Sequence, residues 1–229
     1  MRNICVIGLT GQTGAGKSSV SKIIRSQGME VIDCDRVSRE VVANEKACLA
    51  DLALAFSIAI LNMDGTLNRK RLADIVFSDQ QKLDQLNALI FPYIRNYILA
   101  RIEQLDEQDV PVVVLDAPTL FESGIDADCD FVISVIAPEA QRLNRIVVRD
   151  HLTDEEARRR MASQHNDAYY TTRSQVVIVN DKDPHDLHVK TLELIGYIQK
   201  AIQIQHQNNQ QEDNNKADNR NSGEGRMNL

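Results

Sequence analysis

The chain has 229 residues, a formal net charge of −7 and a pI near 5.3. That length suits one α/β domain with room for an insertion, and the acidic balance argues against bulk nucleic-acid binding, leaving room only for a local basic site. Cys5, Cys34, Cys48 and Cys129 form no CxxC pair and read as buried thiols, and no apolar run reaches membrane-spanning length; a cytoplasmic protein with no nucleic-acid or membrane partner is expected.

The first predicted element is "ICVIGL" (4–9), an apolar, β-branched run that reads as a buried parallel strand. It runs into "GLTGQTGAGKSSV" (8–20), where Gly11 is followed by four residues and then Gly16-Lys17-Ser18. This is the spacing of a phosphate loop, placed as required between a strand and a helix. Small residues let the backbone N–H groups from Thr13 through Gly14, Ala15 and Gly16 to Ser19 turn onto phosphate oxygens. The N-terminus of a helix over 17–27 adds partial positive charge, and Gly28 stops that helix. Lys17 should reach the β- and γ-phosphates, and the Ser18 hydroxyl should ligate Mg²⁺.

"MEVIDCD" (29–35) reads as a second strand carrying Asp33 and Asp35 at its C-terminal end. Residues two apart on a strand share a face. One carboxylate, Asp33, can hold Mg²⁺ through water; the other, Asp35, can take or orient the proton of an attacking hydroxyl. A helix-rich stretch follows over 36–106, with a turn at Asp64-Gly65, a basic "NRKR" cluster (68–71) and Pro92, which should break or kink a helix. The cluster binds an anionic group or simply begins a helix.

"VPVVVLDAP" (110–118) is a third strand ending in Asp116, which either contacts Mg²⁺ through water or supports the loop. "CDFVISVIAP" (129–138) is a fourth strand. Over 139–172, Arg142, Arg145 and Arg149 fall on one helical stripe, with Leu143 and Val147 turned toward packing, and Thr153 with Glu156 forms a capping box for a helix bearing Arg158, Arg159 and Arg160. An arginine stripe on such a helix pair suits a lid that closes on phosphates, because the guanidinium fork binds phosphate oxygens bidentately. "QVVIV" (175–179) is the fifth strand, and a last helix starts near Pro184 and fades after 200. The five histidines show no ligand pattern and read as surface residues. The Asn/Gln-rich segment 205–229 reads as a disordered tail.

Strands alternating with helices give an α/β fold with a five-stranded parallel sheet. A regulatory GTPase is disfavoured: strand five ends in "NDKD" (180–183), where Asp181 displaces the guanine-reading lysine, and "DAPT" (116–119) is no DxxG switch. A lid that excludes water fits small-molecule phosphoryl transfer better. A kinase for another metabolite, such as a nucleoside, and a nucleotide-binding protein without kinase activity are the alternatives.

Taken together, these motifs resemble the dephospho-CoA kinase family over about residues 3–200. "VIDCDRVSREVV" is similar to that family's strand-end aspartates and following arginine, "DGTLNRKRLADIVFSD" and "LNALIFPYI" to its substrate domain, "VVVLDAPTLFESG" to its Pro-Leu-Leu-Phe-Glu segment, and "RIVVRDHLTDEEARRRMASQ" to its lid. The resemblance implies a P-loop kinase core over 1–35 and 110–204, a helical substrate domain over 36–109, and ATP-dependent phosphorylation of the ribose 3′-hydroxyl of dephospho-CoA. It implies Asp35 facing that hydroxyl, Arg145 and Arg149 as lid arginines near the transferring phosphate and ATP, and Asn180 beside the ATP adenine. It places Thr10, Arg39, Arg69 and the segment Pro118, Leu120, Phe121 and Glu122 about the acceptor. The chain departs from the family at Gln12, usually glycine, at Thr119, usually leucine, at Phe91, usually histidine, and at Asn180-Asp181-Lys182, usually Asn-x-Gly.

Overall fold

The structure is a computed structural model that describes the backbone of residues 2–223 and the side chains of residues 2–204. All five expected strands form, as β1 (Cys5–Gly11), β2 (Glu30–Asp33), β3 (Val112–Asp116), β4 (Phe131–Ile136) and β5 (Val176–Val179). They pair in parallel in the order β2-β3-β1-β4-β5, with Val6 opposite Val113 and Leu9 opposite Ile133. The central strands are largely apolar because helices cover both faces of the sheet.

Alternate residues feed two separate cores. Val6, Ile32, Val113 and Leu115 pack on one face, Ile7, Leu9, Val112 and Val114 on the other. The second face is covered by α1 (Lys17–Ser26) and α9 (Pro184–Gly223). The first is covered by the insertion, α2 (Cys34–Asn44), α3 (Lys46–Phe56), α4 (Arg69–Val76) and α5 (Gln80–Glu107), whose Leu52, Val76, Ile98 and Leu105 join the sheet's own core. Beyond β4 come α6 (Glu139–Asp150), α7 (Asp154–Ala162) and α8 (Asp167–Thr171), the lid segment.

Three local expectations change. Asp33 and Asp35 do not share a strand: β2 stops at Asp33, whose carboxylate accepts the Arg36 N–H at 2.9 Å and so caps α2, leaving Asp35 in that helix's first turn. Pro92 does not break α5, which continues through it for 28 residues, or about 42 Å at 1.5 Å per residue; the proline lies on the exposed side, where solvent can take the carbonyl bond it cannot make. The helical backbone of α9 runs to Gly223, well past the fading expected after 200. The expected tail over 205–229 falls outside the residues whose side chains are described.

Candidate active site

The strand order brings the C-terminal ends of β1, β2 and β3 side by side, and the loop after β1 lies along that edge. Gly16 adopts φ 108°, and a Cβ there would come within 2.4 Å of Nδ2 of Asn180. That residue is therefore glycine for two reasons, a left-handed backbone and a close neighbour. Asn180 is buried and donates from Nδ2 to the Ala15 carbonyl at 2.8 Å, clamping the loop from behind. The helix α1 starts at once after Gly16 with no side-chain cap, so its first amides remain available to a ligand.

Thr13, Gly14, Gly16, Lys17, Ser18 and Ser19 line a cavity of about 510 Å³ together with Lys22, Asp35, Arg145, Arg149 and Arg160. Ala15 is fully buried and forms the floor behind it. Lys17 is paired with Asp116, and both side chains are largely buried. The pairing follows from strand alternation: Val112 and Val114 face α1, so Asp116 faces it too. Asp116 thus supports the loop lysine, one of the two roles the sequence allows.

The lid arginines are held in place by protein partners. Arg145 donates from Nη1 to the Gly14 carbonyl at 3.2 Å and from Nη2 to Oε1 of Gln141 at 3.0 Å. Arg149 grips Asp150 bidentately at 2.7 Å, and Arg160 reaches the same carboxylate at 2.7 Å. Hydrogen bonding from Arg149 holds the Asp150 carboxyl below the usual carboxylate range. The capping box forms as expected, with the Thr153 N–H on Glu156 at 2.8 Å. Arg142 leaves the expected stripe: it shares the buried face of α6 with Ile146 and lines a separate cavity behind the loop.

A second cavity, of about 460 Å³, adjoins the first. Asp35, Pro118 and Gln164 border both. Its walls come from the start of α2, the middle of α5 (Ile90, Phe91, Ile94, Arg95), the segment 117–125 and residues 163–165. Asp35 therefore stands where the two cavities meet. Burial pushes its carboxyl above the usual range; Lys17 opposes this, Asp33 and Asp116 add to it, and Arg39 opposes it in turn.

The residues expected about the acceptor divide. Pro118 and Glu122 line the second cavity. Thr10 is fully buried and holds Pro118 instead, its hydroxyl donating to that carbonyl at 3.2 Å. Leu120 is in the core, and Phe121 packs edge-on against Tyr169 with ring centroids 5.7 Å apart. Arg39 and Arg69 are absent from the cavity wall: Arg39 donates to the Asp35 carbonyl at 3.1 Å and Arg69 to the Arg39 carbonyl at 2.9 Å. Arg39 thus bonds the first turn of its own helix, and Arg69 ties the start of α4 to the middle of α2. Asp33 lines neither cavity and spends one oxygen as a helix cap.

Several site residues were not visible in the sequence. Asp150, Gln164 and Lys22 have no motif of their own. Arg95 lines the second cavity, its Nε and Nη2 both 2.7 Å from Asp128, and is the one permanent cation among the described lining residues. His165, expected on the surface, is half-exposed but stacks on Tyr169 at 3.6 Å and lies 3.4 Å from Glu122 at the cavity rim. Among the described residues no cluster of three acidic, histidine or cysteine side chains is placed to hold a metal.

A parallel β2-β3-β1-β4-β5 sheet, a lysine-bearing glycine loop, a carboxylate facing it and an arginine lid define a P-loop kinase. The family model of dephospho-CoA kinase matches residues 5–186, and the chain belongs to that family. It is 37% identical to a dephospho-CoA kinase of Corynebacterium glutamicum, over 84% of this chain and 96% of that protein. With one from Fusobacterium nucleatum the identity is 35%, over 82% and 95%. Among solved structures it is similar to a Thermus thermophilus protein, with TM-score 0.72, 30% identity and coverage of 86% and 98%. A dephospho-CoA kinase from Campylobacter jejuni gives TM-score 0.67 and 27% identity over 88% and 99%.

Proposed function

We propose that this chain transfers the γ-phosphate of ATP to the ribose 3′-hydroxyl of dephospho-CoA, giving coenzyme A and ADP in the cytoplasm. The observation that carries this reading is Asp35, shared by the phosphate-loop cavity and the adjoining cavity. A group there can face a hydroxyl on one side and a phosphate on the other.

In this reading the loop amides and Lys17 hold the β- and γ-phosphates, and Arg145 and Arg149 meet the charge that spreads over the transferring group. Asn180 acts on the nucleotide through the loop it clamps and from its place near the adenine. Asp35 orients the acceptor hydroxyl or takes its proton. Its raised pKa, chiefly an effect of burial, makes it a better proton acceptor than an ordinary aspartate. The Ser18 hydroxyl and a carboxylate at the strand ends, Asp33 among them, would hold Mg²⁺, which supplies charge neutralisation across the β- and γ-phosphates. Pro118 and Glu122 shape the acceptor cavity. Arg95 is the cation suited to the diphosphate of dephospho-CoA, with Asp128 fixing its fork and leaving Nη1 free. The rest of the work is positioning and exclusion of water.

The test is ADP release from ATP with dephospho-CoA and, in parallel, with nucleosides as acceptors. Turnover confined to dephospho-CoA is the expected result. A nucleoside used equally well would replace this acceptor, and ATP binding without any acceptor-dependent ADP would leave a nucleotide-binding protein.

A further inference from the structure

Gln12 is the loop residue that the phosphate chemistry leaves unused, and it stands where this family's loop usually has glycine. It is only 2% exposed. Its Nε2 reaches across to the lid segment and donates to the His165 carbonyl at 3.2 Å. One residue on, the Thr13 N–H donates to Oε1 of Gln164 at 2.8 Å. Two consecutive loop residues thus grip two consecutive residues just past α7.

The two bonds differ in what a nucleotide does to them. Thr13 offers a backbone amide of the kind that receives phosphate oxygens, so a phosphate competes with Gln164 for it. Gln12 also borders the loop cavity, but its bond is made by a side-chain amide that is almost wholly buried and ends on a carbonyl of the lid segment, not by a backbone amide of the phosphate cradle. Gln164 borders the loop cavity and the acceptor cavity, as Asp35 does.

Resting on the kinase reading above, we propose that Gln12 is a positioning residue that moors the end of the lid to the phosphate loop while phosphate displaces Gln164 from Thr13. Gln164 then stays at the junction of the two cavities, and the mooring keeps water from the transferring phosphate. A loop with glycine at this position has no such side-chain tie.

The test uses the full chain with Gln12→Leu, which fills the space without a donor, and Gln12→Gly, which installs the residue usual in the family. Two readouts are taken. One is the ratio of ADP formed without acceptor to ADP formed with dephospho-CoA. The other is the rate of trypsin cleavage at Arg158, Arg159 and Arg160 with ADP bound. Loss of one hydrogen bond predicts about a 3- to 10-fold rise in each, with the KM for ATP within about twofold of wild type. If Gln12→Leu does not fold, Gln12→Gly alone decides. Wild-type values of either readout in Gln12→Gly would overturn the mooring, even if its melting temperature fell, because a merely structural glutamine would change stability and nothing else. Failure of the wild type to use dephospho-CoA would sink the kinase reading instead, and the cleavage rates would still judge the mooring.

Discussion

The two cavities that meet at Asp35 are built by opposite means. The phosphate side is made largely from one run of chain, Gly11 to Ser19, and works through backbone amides and a helix start. The acceptor side is assembled from α2, α5, the segment after β3 and the end of α7, and its α5 wall is mostly apolar. Holding a triphosphate needs a backbone shape that many kinases share. Choosing an acceptor needs particular side chains brought together by the whole fold. If that division is right, changes on one side should leave binding on the other intact, and loss of Asp35, alone among the three residues that border both, should stop transfer without stopping ATP binding.

The largest effect is expected at the junction. Asp35→Ala should lower turnover by at least ~10²-fold while calorimetry still detects ATP binding; near-normal turnover would remove Asp35 from the reaction. Next is the acceptor wall. Arg95→Ala should raise the KM for dephospho-CoA about tenfold or more, the scale of a lost charge-assisted hydrogen bond, and leave the KM for ATP unchanged. Equal changes in both constants would show that Arg95 merely supports the fold.

A pH series sharpens the same division. The Asp35 carboxyl is raised above its ordinary 3.8, chiefly by burial. The acid limb of kcat/KM for dephospho-CoA should therefore fall above pH 3.8, and it should vanish from the residual activity of Asp35→Asn. Stability should move the other way. A raised carboxyl favours the folded state when protonated, and that contribution is lost as pH rises through the folded pKa. Asp35→Asn should therefore gain in melting temperature over wild type as pH rises, with the difference closing below pH 3.8. The smallest effect is in the lid: Thr153→Ala removes one half of the capping box and should cost about 1 kcal/mol, read as a drop of a few degrees in the melting temperature.

The same contrast explains what could be read before the structure. Strand runs such as "VPVVVLD" are buried on both faces and announce themselves by composition, and the loop motif is local, so the sheet and phosphate side were legible. The capping box at Thr153 was equally local. Asp33 ends the strand as expected, but Asp35 was misplaced on it because a strand-end aspartate that also caps a helix looks like any other in sequence; the bond to the Arg36 N–H turns the chain into α2 there. Arg39 and Arg69 were assigned to the acceptor by resemblance, and in the structure they bond backbone carbonyls of α2, at Asp35 and Arg39. Arg95 was missed because what brings it to the cavity is its bidentate pair with Asp128, a partner 33 residues away. Gln12 was visible as a departure, but its meaning depended on His165, 153 residues away.

The most direct test of the central claim is where the phosphate goes. The enzyme is incubated with ATP and dephospho-CoA, and the product is examined by phosphorus NMR with coupling to the ribose protons. The account predicts a new phosphomonoester on the ribose 3′-oxygen, formed in step with ADP. Phosphate on another oxygen, or inorganic phosphate alone, would contradict it.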